Sequence, residues 1–120
     1  MENHLQGEYI MSEQEAKKEV RYYEVCPVMD ITDENNAIAV TLEVPGANSK
    51  SVSVEVEMKV MTVEAVSTLQ HRGMPILYKR SFRLSDAVDI GAIQAKTLDG
   101  VLTLTLPKSE RAAVHKIAVQ

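Results

Sequence analysis

Tryptophan is absent from this chain, phenylalanine occurs once, and one cysteine, four prolines and five glycines are spread over 120 residues. The lone cysteine, Cys26, cannot close an internal disulfide and points to a reducing compartment. There is no basic excess: 13 Lys and Arg stand against 17 Asp and Glu, for a formal net charge of −4. With no Arg/Lys run and no aromatic platform, the chain offers no face for nucleic acid. No apolar run approaches the ~20 residues of a membrane span. The opening residues, Met1 to Glu8, have neither the basic n-region nor the apolar h-region of a signal peptide. The expected compartment is the cytoplasm, with neither membrane nor nucleic acid as partner.

Chemistry-bearing patterns are also missing. No Gly-x-x-x-x-Gly-Lys-Ser/Thr occurs, which removes a P-loop and with it that route to ATP. His4, His71 and His115 have no zinc-like spacing with Cys26 or with each other. Cys26 as a nucleophile would need a base within hydrogen-bond reach, and all three histidines fall in loops or tails. Glu55/Glu57 and Asp86/Asp89 are paired acids, but on a solvent-facing strand side or in a turn such pairs are simply solvated. The expectation is a non-enzyme with no catalytic residue, no cofactor and no metal.

What the chain does have is a period of two. Ile38, Val40, Leu42 and Val44 alternate with Ala37, Ala39, Thr41 and Glu43 until Pro45-Gly46 turns the chain. Val52, Val54, Val56 and Met58 alternate with Ser51, Ser53, Glu55 and Glu57. Val60 to Val66 continues as a strand with Met61, Val63 and Ala65 inward, and Leu77 to Leu84 forms another. Ile93 to Leu98 pairs with Val101 to Leu106 across Asp99-Gly100, residues suited to φ > 0 at both central turn positions. Leu102, Leu104 and Leu106 then share one face, Val101, Thr103 and Thr105 the other, and Pro107 closes the strand. Asp86 to Gly91 reads as an irregular or single-turn connection. Seven or eight short strands with turn signals between them imply an all-β, immunoglobulin-like sandwich over residues 27–107.

Two segments flank it. In residues 1–26, Ser12-Glu-Gln-Glu15 has the form of a capping box, so a short helix over residues 13–20 is expected in a mobile arm. Residues 108–120 form a polar extension ending in Ile117-Ala118-Val119. That apolar pair, placed after the strand that completes the core, suits a plug for a groove on another copy.

Taken together, Ala95-x-x-x-Asp99-Gly100-Val101-Leu102, Pro107-Lys108, Ile117-x-Val119, the earlier Pro45-Gly46 and Arg80-Ser-Phe82-Arg83-Leu84 resemble the α-crystallin domain of small heat-shock proteins. The resemblance covers roughly Pro27 to Val119. It implies an ATP-independent chaperone that holds partly unfolded proteins and assembles with itself. It places Ile117 and Val119 in a neighbour's groove lined by Val52, Val54, Ile93 and Ala95, and Arg83, with Tyr78 and Phe82, at a dimer interface. Tyr9, Met11, Tyr22 and Tyr23 of the arm would bind unfolded clients or pack on their own domain. The alternative is a co-chaperone of the CS type, or a scaffold module, that docks on a folded partner.

Two departures from the family pattern carry consequences. Glu57-Met58-Lys59-Val60 replaces the usual acidic or Asn-containing turn, so that hairpin is expected to be tighter, bulged or shifted in register. Residues 67–78 are short, with a turn at Arg72-Gly73, and leave little reach for an exchanged strand. The expected outcome is either no strand-exchange dimer or edge-to-edge pairing of Ile76 to Leu84.

Overall fold

The computed structural model describes residues 20–109 and 116–120. The helix expected over residues 13–20, and with it Tyr9 and Met11, lies outside them except for Val20. Eight strands follow in order: β1 (Tyr23–Val25), β2 (Met29–Asp33), β3 (Ala37–Glu43), β4 (Val52–Glu57), β5 (Val60–His71), β6 (Met74–Arg83), β7 (Gln94–Leu98) and β8 (Val101–Pro107). They make two four-stranded sheets, β1-β6-β5-β4 and β2-β3-β8-β7. Every pairing is antiparallel except β1 on β6, which is parallel.

The alternation explains the core. Register sets Ile38 opposite Leu106, Val40 opposite Leu104 and Leu42 opposite Leu102, so all six share the inner face of one sheet. Met61, Val63 and Ala65 of β5 face them from the other sheet, fully buried. Each aliphatic side chain so removed from water contributes about 1.5–3 kcal/mol. Val44, Tyr78, Leu84 and Val88 complete the cluster.

Turn chemistry fixes the registers. Met58-Lys59, Arg72-Gly73 and Asp99-Gly100 all have positive φ at both residues, between 51° and 79°, as the tight two-residue hairpin requires. Met58 therefore corrects the expectation that it prolongs the Val52-Val54-Val56 row, because it sits in the turn and is 87% exposed. Of the three possibilities for this hairpin, the tight one is realised. Its register runs unbroken from Val52 opposite Ala65 to Glu57 opposite Val60.

Residues 67–78 form almost no loop. β5 continues to His71 and β6 restarts at Met74, with a break in register between Val66 and Gln70. The break has a cause. Ser67 turns inward, donates its hydroxyl to the Pro45 carbonyl at 2.7 Å and accepts the Leu69 N–H at 2.9 Å. Near the other end, Tyr23–Val25 pair with Ile76–Tyr78, so the sandwich begins before residue 27. Arg80 Nη1 donates to the Pro27 carbonyl at 3.0 Å, pinning the chain where it crosses from β1 to β2. The 86–91 connection is irregular, with a single turn of 3-10 helix at Ile90–Ala92.

Candidate functional site: a cleft between two edge strands

β4 ends one sheet and β7 ends the other. The two cannot pair with each other across the sandwich, so a cleft opens between them. It encloses about 210 Å³ and is lined by Val52 and Val54 from β4, Ala95, Lys96 and Thr97 from β7, Leu102 at its floor, and Ser49. Its apolar wall follows from the two-residue period: the even positions of β4 face inward, while Glu55 and Glu57 face water. Ser49 and Thr97 also line a second hollow of about 200 Å³, with Ala47, Asn48, Leu98 and Asp99. Three of the four expected groove residues, Val52, Val54 and Ala95, thus lie around one cleft. Ile93 instead packs half-buried against the core. Leu102, Lys96 and Thr97 were not anticipated, because only the relative placement of the two sheets brings β7 beside β4.

The expected plug is available. Ile117 is 84% exposed and Val119 is 95% exposed, so neither is covered by its own chain.

Two turns distant in sequence are in contact. Gly46 has φ +85°, as the third residue of a turn closed by Ala47 N–H to the Val44 carbonyl at 3.0 Å. A Cβ there would overlap the Ser67 hydroxyl. Val44 N–H donates to the Gly100 carbonyl at 2.7 Å, and a Cβ on Gly100 would approach Pro45 Cα to 3.0 Å. Pro45-Gly46 and Asp99-Gly100, distant in sequence, therefore hold each other. Ser67 was missed at the sequence level, although its place in the row Met61-Val63-Ala65-Ser67 marks it as inward-facing.

The expected interface residues separate. Register on β6 turns the even positions inward: Tyr78 is 7% exposed within the core and Phe82 packs against it. Tyr78 is thus a core residue, which corrects its placement at an interface, while Phe82 keeps part of its surface exposed. Burial raises the pKa of the Tyr78 phenol above its ordinary value. Arg83 points outward and is exposed. Next to it Lys59 pairs with Asp86, and the hydrogen bond and charge of Lys59, with a smaller contribution from Arg83, hold that carboxyl below its ordinary range. On the same outer face Lys79 meets Glu64 at 3.4 Å, and the Thr62 and Ser81 hydroxyls lie 3.0 Å apart.

Of the arm residues, Tyr22 is exposed, and Tyr23 stacks on His71 with ring centroids 4.1 Å apart. Tyr23 therefore packs on its own domain. Cys26 is exposed, with Arg80 Nη1 at 3.6 Å. Among the described residues no group of three His, Cys, Asp or Glu could hold a metal, and no helix is long and apolar enough to cross a membrane.

Comparison with known proteins agrees with this architecture. The sequence profile described as the Hsp20/alpha crystallin family matches residues 30–120. The chain is 32% identical over 102 residues to the 18 kDa antigen 2 of Mycobacterium avium, covering 76% of this chain and 72% of that one. It is 29% identical over 119 residues to a probable 15 kDa heat shock protein of Leptospira interrogans, covering 92% and 89%. Among solved structures, a small heat-shock protein from Xylella fastidiosa aligns with a TM-score of 0.64 at 21% identity, over 82% of this chain and 99% of that one.

Proposed function

The chain belongs to the Hsp20/alpha crystallin family, and from that premise we propose that it is an ATP-independent holdase that assembles through its own C-terminal tail. The observation that carries this is a single juxtaposition. One chain has an exposed Ile117/Val119 pair and, elsewhere on its surface, an apolar cleft walled by Val52, Val54 and Ala95. Burying two aliphatic side chains contributes about 1.5–3 kcal/mol each. That is weak for one contact and strong when the contact is repeated around a closed assembly. The segment from Lys108 to Lys116 spans at most about 30 Å at ~3.3 Å per residue, enough to reach a neighbour.

The same reversibility supplies the activity. Apolar surface occupied by neighbours at rest becomes free when subunits exchange, and partly unfolded chains bind there, which lowers the concentration of aggregation-prone species by mass action. Exposed Val28, Ile31, Leu69 and Tyr22 add apolar surface beyond the cleft. Nothing in this scheme needs nucleotide.

The test has two arms. Light scattering of a thermally aggregating client, without ATP, is expected to fall at equimolar protein. No suppression would overturn the holdase reading. Native mass spectrometry of the Ile117→Ala/Val119→Ala variant is expected to show a smaller assembly, and an unchanged mass would overturn the tail reading. A wild-type chain monomeric at all concentrations would favour the docking-module alternative.

A further inference from the structure

We propose that the sheet β1-β6-β5-β4 has two oppositely charged free edges, and that the basic edge of β6 in one copy adds to the acidic edge of β4 in the next. β1 covers β6 only at Ile76–Tyr78. Among the described residues nothing pairs with the outer side of Lys79–Arg83. On its outer face that stretch carries Lys79 and Arg83 and no acid, while Arg80 is turned inward to the Pro27 carbonyl. At the far side of the same sheet, the outer edge of β4 is likewise unpaired among the described residues, and β4 contains Glu55 and Glu57 and no base. Both edges expose a row of backbone N–H and C=O groups, the usual template for strand addition.

The registers make the fit specific. In each chain Glu57, Val60 and Arg83 lie in one row across the sheet, Glu55, Thr62 and Ser81 in the next, and Ser53, Glu64 and Lys79 in the third. β4 and β6 run parallel, since each is antiparallel to β5. A copy displaced sideways therefore continues the sheet, with Ser53–Glu57 of one chain beside Lys79–Arg83 of the other. Arg83 then stands beside Glu57, and Lys79 lies diagonal to Glu55, within reach of long side chains.

Self-pairing of either edge is disfavoured by the same charges. An antiparallel β6–β6 pair centred on Ser81 sets Lys79 opposite Arg83 twice, and a β4–β4 pair centred on Glu55 sets that carboxylate against its copy. The expected edge-to-edge pairing of Ile76 to Leu84 is further obstructed by β1. A β6-to-β4 contact joins two different surfaces, so it generates rings or open arrays rather than a closed pair. It uses the backbone edge and outer face of β4, whereas the tail reading uses the inward side chains Val52 and Val54. Both contacts border the free edge of β4, and each is read by its own variants.

A charge swap in the full chain tests it. In wild type, amide exchange at residues 79–83 is expected to slow by about tenfold as protein concentration rises into the assembling range. Lys79→Glu/Arg83→Glu and Glu55→Lys/Glu57→Lys are each expected to lose that slowing, to regain it when mixed in equal amounts, and to regain it when all four changes are in one chain. Wild-type slowing that is absent, single-edge variants that retain it, or a mixture that does not restore it would each overturn the contact. If the glutamate pair does not fold, Lys79→Gln/Arg83→Gln must lose the slowing, and retention overturns the proposal. None of these outcomes changes the mass lost on Ile117→Ala/Val119→Ala, so failure here is distinguishable from failure of the tail.

Discussion

At the scale of single residues, Ser67 and Gly46 form one unit. The Ser67 hydroxyl bridges the Pro45 carbonyl and the Leu69 N–H, and it occupies the space that a side chain at position 46 would need. Ser67→Ala leaves two partners unsatisfied at a buried site and is expected to cost about 1–3 kcal/mol. Gly46→Ala meets both the hydroxyl and a positive φ, and is expected to cost about 2 kcal/mol or more. The double variant should cost less than the sum, because removing the hydroxyl relieves the overlap. Urea unfolding of the three variants measures all of these, and strict additivity would refute the coupling. The ionisable residues give signs rather than sizes. The pKa of Asp86 is lowered in the folded chain, so its contribution is present above the unfolded carboxylate range and is lost as pH falls through the folded value. Asp86→Asn should flatten the acid limb of the stability profile. The pKa of Tyr78 is raised by burial, so the folded state is favoured below the unfolded phenol value and loses ground as pH rises past it. Tyr78→Phe should remove that alkaline phase.

At the scale of elements, the Met58-Lys59 hairpin shows tertiary structure overriding local preference. Neither residue is Gly, Asn or Asp, yet both adopt positive φ because the rows on β4 and β5 must align on the inner face. Met58→Asn removes part of this backbone strain and is expected to raise stability by about 0.5 kcal/mol, read from the urea midpoint. β1 is the opposite case: three residues, mostly exposed, secured by Tyr23 on His71 and by Arg80 on the chain just beyond it. Its amides should exchange far faster than those of β5, and Tyr23→Ala should speed them further with little change in global stability.

At the scale of the molecule, two properties of β4 bear on the two proposed contacts between copies. Its inner face walls the cleft and its outer face is acidic, both consequences of one alternating sequence, Val52-Ser-Val-Glu-Val-Glu57. Assembly through the tail buries apolar side chains and should persist in high salt. Assembly through the sheet edges depends on exposed charges and should weaken as salt rises past about 0.15 M, where charges about 8 Å apart are screened. Sedimentation across a salt series of wild type and Ile117→Ala/Val119→Ala separates the two. Assemblies whose salt dependence is identical would contradict this division.

The strands β3 to β8, most of their inward residues and two of the three tight hairpins were legible in the sequence, because a period of two and the pairs Asp99-Gly100 and Arg72-Gly73 act over a few residues; β1 and β2, short and mostly exposed, were not. The groove residues on β4 and β7 came from family resemblance, not from pattern. Tyr78 was misplaced because a strand's period says which residues share a face, but not which face meets the other sheet. The parallel addition of β1, the hydrogen bond from Ser67 to Pro45 and the charge difference between the sheet's edges depend on neighbours more than twenty residues apart, so only the folded chain decided them.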